Sequence, residues 1–101
     1  MKAIRVQYSV RPEFAAQNRK NIAAVMAEMR SLGDSGCRYT SYAFPDGKTF
    51  MHLVHYRAPA AEDLPGRLPS FKQFQKELKE NLEVPPKAET IEVAGSSFEL
   101  F

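Results

Sequence analysis

Apolar and polar residues alternate along residues 3–11. Ile4, Val6, Tyr8 and Val10 fall on one side, and Arg5, Gln7, Ser9 and Arg11 on the other. A period of two, rich in β-branched and aromatic types, predicts a half-buried strand. Pro12 stops that strand and suits the first turn of a helix, with Glu13 favourable at the helix's positive end. The period then lengthens: Ile22, Val25, Met26, Met29 and Leu32 recur at the spacing of one helical face. Phe14 and Ala15 lie upstream, and the polar Asn18 stands in line with Ile22. Gly33 supplies a left-handed cap, and Asp34-Ser35-Gly36 a turn.

Residues 37–44 and 49–57 read as two further strands around Pro45-Asp46-Gly47-Lys48, a connection short enough for an antiparallel hairpin. The second of them, from Thr49 to Tyr56, is apolar on both faces, which predicts a place inside the sheet. Residues 58–68 contain Pro59, Pro65 and Gly66 and read as an irregular loop with room for one short helical turn. Ser70-Phe71-Lys72-Gln73 has the form of a capping box opening a second helix, with Phe71, Phe74, Leu78 and Leu82 as its buried stripe. Pro85-Pro86 separates it from a last strand over about residues 87–94, where Ile91 and Val93 share a face. Residues 95–101 form a tail ending in Phe98, Leu100 and Phe101, expected to fold across a partner subunit.

The order is β-α-β-β-α-β, the ferredoxin-like split β-α-β motif, and residues 1–101 suffice for a single domain. This is an α+β class chain. Right-handed crossovers place both helices on one face of a four-stranded antiparallel sheet, with the first and third strands central. Ile4, Val6, Tyr8 and Val10 then face the helices, leaving Arg5, Gln7 and Ser9 on the open face. Either parity of the third strand adds apolar groups there: Phe50, Val54 and Tyr56, or Met51 and Leu53. Such a patch predicts a cover, and a second copy related by a two-fold axis is the commonest.

The formal charge is only +2 and is dispersed, too little for a strong electrostatic footprint on nucleic acid or anionic membrane. RNA-recognition motifs share the element order, but Arg5 stands where a stacking aromatic is needed, and Lys48 to His55 lacks the signature glycines. The lone Cys37 cannot form an internal disulfide, and Arg5 interrupts any apolar run at the amino terminus. No run approaches the ~18–20 apolar residues of a membrane span. Together these predict a cytoplasmic protein.

His52 and Tyr56 lie four apart on one strand and therefore share a face. Were that face a ligand cavity, the pair would handle protons there, with Arg5 and Gln7 of the first strand holding an oxyanion and Phe50 and Val54 contacting the ligand. The competing reading is a hydrogen-bonded core histidine and interface packing. Glu89 or Glu92 offers Arg5 an ion-pair partner on the neighbouring strand. His55 points away from His52, and no other His or Cys stands at metal-ligand spacing, so no metal is expected. Haem needs only one histidine and stays open, although no cofactor is called for. Cys37 has no basic neighbour on its own face and reads as packing.

In layout the chain resembles the dimeric α+β barrel superfamily, including the antibiotic-biosynthesis monooxygenase-like domains. The resemblance lies in the element order, in the third strand running into Arg57-Ala58-Pro59-Ala60-Ala61-Glu62, and in Pro69-Ser70-Phe71-Lys72-Gln73-Phe74 opening the second helix. It implies a homodimer whose sheets enclose one lumen per subunit for a small aromatic or apolar organic molecule. It also implies cofactor-free monooxygenase-like oxygenation, or proton transfer of the isomerase kind, with Tyr56 as the aromatic near the end of the third strand. A loop histidine carried by many members has no counterpart between Ala58 and Pro69. A non-catalytic dimeric binding module is the alternative.

Overall fold

Strand β1 (Lys2–Val10) lies between β3 (Thr49–Tyr56) and β4 (Leu82–Glu92), and β2 (Cys37–Ala43) closes the other side, giving the antiparallel order β2-β3-β1-β4. The computed structural model describes residues 2–101. Helices α1 (Ala15–Ser31), α2 (Leu64–Arg67) and α3 (Pro69–Lys79) follow β1 and β3. Among the described residues, no helix is long and apolar enough to cross a membrane.

Register settles the parity of β3. Tyr8 pairs with Phe50, Val6 with His52, and Ile4 with Val54. Directly opposed residues share a sheet face, so Phe50, His52, Val54 and Tyr56 join Tyr8 and Val10 beneath the helices. Val25 and Met29 of α1 and Phe74 and Leu78 of α3 complete this core. Met51, Leu53 and His55 lie on the open face with Arg5 and Gln7 and are half-buried. The open face is therefore less apolar than the bulkier of the two expectations. The tail also runs beside it: Arg38 Nε donates to the Leu100 carbonyl at 2.8 Å, and the Phe101 ring lies about 5 Å from the Arg38 and Arg57 guanidinium carbons. Residues 95–101 thus lie against their own subunit, while Phe98 is 69% exposed.

Three local expectations need correction. The first turn after β1 is a 3₁₀ turn, Pro12–Phe14, and α1 proper starts at Ala15. No capping box forms at Ser70; Pro69 already occupies the first turn, and the cap comes from α1. The Ser70 backbone N–H and hydroxyl both donate to Glu28 Oε1, at 3.1 and 2.6 Å, tying the two helices together. Pro85-Pro86 does not precede the last strand but lies within it. β4 is an edge strand, where a missing N–H can face outward. The register jumps from Gln7↔Lys87 to Ser9↔Val84, so the two prolines oppose Tyr8 in a bulge.

Gly33 (φ 66°) ends α1 in the left-handed conformation. Gly47 (φ 77°) does the same for the hairpin, where Asp46 Oδ1 accepts from the N–H groups of Lys48 and Thr49. The loop between β3 and α3 holds a 3₁₀ turn, Pro59–Ala61, and then α2.

Candidate functional site

His52 is 3% exposed, with aromatic rings around it. Tyr8 stacks on it at 5.3 Å between centroids, and Tyr39 of β2 and Phe74 of α3 meet it edge-on at 5.6 and 5.5 Å. This cage strips water from the ring, and the loss of solvation pushes its pKa down to about 4. At neutral pH the imidazole is therefore uncharged, with one donating and one accepting nitrogen.

Both nitrogens are engaged inside the protein. Nε2 lies 2.7 Å from the Tyr8 hydroxyl, and Nδ1 lies 2.5 Å from Ser41 Oγ. Asn18 of α1, fully buried, donates from Nδ2 to the same Tyr8 hydroxyl at 2.9 Å. The chain Asn18–Tyr8–His52–Ser41 thus crosses the domain from the first helix to the edge strand. Burial raises the pKa of Tyr8 despite the Asn18 hydrogen bond, and raises that of Tyr39 as well. Both phenols stay protonated at neutral pH.

Ser41, half-buried, is the outer end of this chain. It lines a cleft of about 550 Å³ between α1 and β2, whose apolar wall is made by Ile22, Met26, Met29, Cys37 and Tyr39. The inner end narrows to a seam against Val25, His52 and Phe74, too tight for a water molecule. A molecule in the cleft reaches Ser41 directly and His52 only through it. Burial pushes the Cys37 thiol up to about 11, so it serves this wall as an apolar group.

The anticipated grouping of His52, Tyr56, Arg5 and Gln7 is not assembled. Strand parity sends His52 and Tyr56 under the helices and leaves Arg5 and Gln7 on the opposite face. There Arg5 donates to Gln7 Oε1 and lies 3.5 Å from Glu89. His52 and Tyr56 do share a face, but four strand residues separate them by roughly 13 Å. Tyr56 is buried beside Cys37, and burial pushes its pKa up to about 12. Phe50 and Val54 are core residues, Phe50 stacking on Tyr8 at 5.9 Å. The hydrogen-bond partners of His52, Tyr8 and Ser41, and Asn18 behind Tyr8, lie outside the residues the sequence pointed to as a site. Asn18 on an apolar helical stripe was the one visible signal.

No protein-family model matches the sequence, and no curated protein does. Solved structures resemble it over almost its whole length. Rv0793 from Mycobacterium tuberculosis superposes with a TM-score of 0.78 at 21% identity, covering 96% of this chain and 98% of that one. A crystal structure described as an antibiotic biosynthesis monooxygenase gives 0.80 at 12% identity, covering 94% and 100%. PA3566 from Pseudomonas aeruginosa gives 0.77 at 18%, covering 93% and 94%. At these identities the likeness shows the fold alone: a ferredoxin-like α+β domain, the fold of structures described as antibiotic biosynthesis monooxygenases.

Proposed function

We propose that the chain binds a small, largely apolar organic molecule in the cleft between α1 and β2. An oxygen of that molecule hydrogen-bonds to Ser41, and the Ser41–His52–Tyr8 chain supports proton transfer at that oxygen. The observation behind this reading is a half-buried, cleft-lining serine whose hydroxyl is bonded to a buried neutral imidazole, itself bonded to a buried phenol. A polar chain held among aromatic rings has one outlet, and its donors and acceptors are positioned before any ligand arrives.

The low basicity of His52 limits the chemistry. A histidine with a pKa of about 4 does not hold a proton at neutral pH. It passes hydrogen-bond polarity along in step with its neighbours and does not accumulate as imidazolium. This favours donating a hydrogen bond to, and so polarising, a carbonyl or phenolate oxygen of the ligand, as an enolising isomerisation requires. His52 would have to give up a bonded nitrogen to ligate haem iron, so the reading includes no haem.

We further propose a homodimer joined through the helix-free face, with Met51, Leu53 and the exposed Phe98 at the contact. Light scattering at micromolar concentration then returns the mass of two subunits; the mass of one overturns it. The cleft is tested by thermal shift against a panel of phenols and quinones. At least one compound stabilises the wild type and loses most of that effect with Ser41→Ala. No stabilisation across the panel, or equal stabilisation of the variant, refutes the site. A non-catalytic binding module would show the same shifts without turnover.

A further inference from the structure

The chain of four side chains has two ways to place its hydrogens, and only one agrees with Asn18 as it sits. Asn18 is fully buried; its Nδ2 donates to Tyr8, and its Oδ1 has no hydrogen-bond partner among the described residues. Tyr8, accepting from Asn18, has one hydrogen to give, and His52 Nε2 is the acceptor in reach. His52 must then carry its proton on Nδ1 and donate to Ser41 Oγ at 2.5 Å. Ser41, having accepted, keeps its own hydrogen for the cleft.

The amide turned over reverses every bond. Tyr8 would donate to Asn18 Oδ1, His52 Nε2–H to Tyr8, and Ser41 to His52 Nδ1, leaving only lone pairs of Ser41 toward the cleft. That arrangement orphans a buried N–H in place of a buried carbonyl, and a bare N–H is the rarer and less tolerated of the two.

We propose that Asn18 is a positioning residue that fixes the direction of the hydrogen-bond chain, and with it the tautomer of His52 and the donor character of Ser41 in the cleft. Asn18 touches no ligand; it acts through Tyr8 and His52. The consequence for a bound molecule rests on the proposed function: the cleft prefers an acceptor oxygen facing Ser41 over a donor. The tautomer itself is a property of the free protein and stands apart from any binding.

The test is the nitrogen-15 spectrum of His52 at neutral and mildly alkaline pH, recorded on a His55→Gln background that leaves a single imidazole. A protonated and a bare ring nitrogen resonate far apart. The parent protein is expected to show the Nδ1–H form almost exclusively. Asn18→Asp, once ionised, can only accept, so the population inverts to Nε2–H. Asn18→Leu removes the donor without supplying an acceptor, so the preference for one form is lost; this variant decides the matter where the buried carboxylate prevents folding. An Nε2–H form in the parent, or a folded Leu variant with an unchanged tautomer, overturns the assignment. Should the tautomers behave as stated while no compound binds, the inference stands and the proposed function falls.

Discussion

A buried histidine held neutral makes the domain sensitive to mild acid. The folded pKa of His52 is about 4, against an ordinary value of 6.5. Between these values the unfolded chain binds a proton that the folded chain refuses, so stability rises with pH across the window and falls on acidification. Full protonation of the unfolded ring against this shift corresponds to about 3 kcal/mol. Between pH 7 and pH 5 the linkage relation gives a loss of about 2 kcal/mol from His52 alone. Carboxylates contribute little there, because Glu28, Asp34, Asp46 and Glu77 have lowered pKa values and lose their stabilisation only as pH falls toward and below 4. The assay is urea unfolding at the two pH values, on the wild type and on His52→Gln, which cannot titrate. With a slope of about 2 kcal/mol/M, the wild-type midpoint moves down by about 1 M at pH 5. In the variant most of that movement disappears, whatever its absolute stability. A wild-type midpoint that stays put, or a variant that moves as far, would refute the claim that the aromatic cage keeps this ring uncharged.

Other perturbations bear on the same framework. Tyr8→Phe keeps the ring stacked on Phe50 and His52 but strips both Asn18 Nδ2 and His52 Nε2 of their partner; urea unfolding should show a loss of about 1–3 kcal/mol for each buried group left bare. Val54→Ala opens a cavity in the packed face of β3 and should lower stability by about 2–3 kcal/mol, while Leu53→Ala, on the opposite face, should cost clearly less. Glu28→Ala removes the acceptor that ties the start of α3 to α1, and amide exchange should quicken in the first turn of α3 before it does in β1 or β3.

The fold was readable because its signals are periodic. Alternation in β1, the helical stripe ending at Gly33 and the Pro-Asp-Gly turn each name an element, and their order leaves one common topology. What the sequence hid depended on contacts between elements. Thr49 to Tyr56 is apolar on both faces, so nothing local could say which half of β3 faces the helices; pairing with β1 decided it. The same parity removed Arg5 and Gln7 from the neighbourhood of His52. Pro85-Pro86 reads as a break in isolation and becomes tolerable only because β4 lies at an edge, opposite a bulge. Ser70 found its partner in Glu28, 42 positions away, where the local pattern pointed to Gln73. The site was half legible for the same reason. His52 is conspicuous as a polar residue in an apolar strand, but its partners come from β1 and β2, with α1 behind the first of them. Of these, only Asn18 on its apolar stripe gave notice.

On the proposed reading, ligands enter between α1 and β2 and report to His52 through Ser41. Amide and imidazole chemical shifts followed during a titration with 2-naphthol test it most directly. Perturbations are expected to concentrate at Ile22, Met26, Tyr39 and Ser41, with the His52 ring responding although it lies beyond the tight seam. Perturbations confined to Met51, Leu53 and His55 on the helix-free face, with Ser41 and His52 silent, would contradict it.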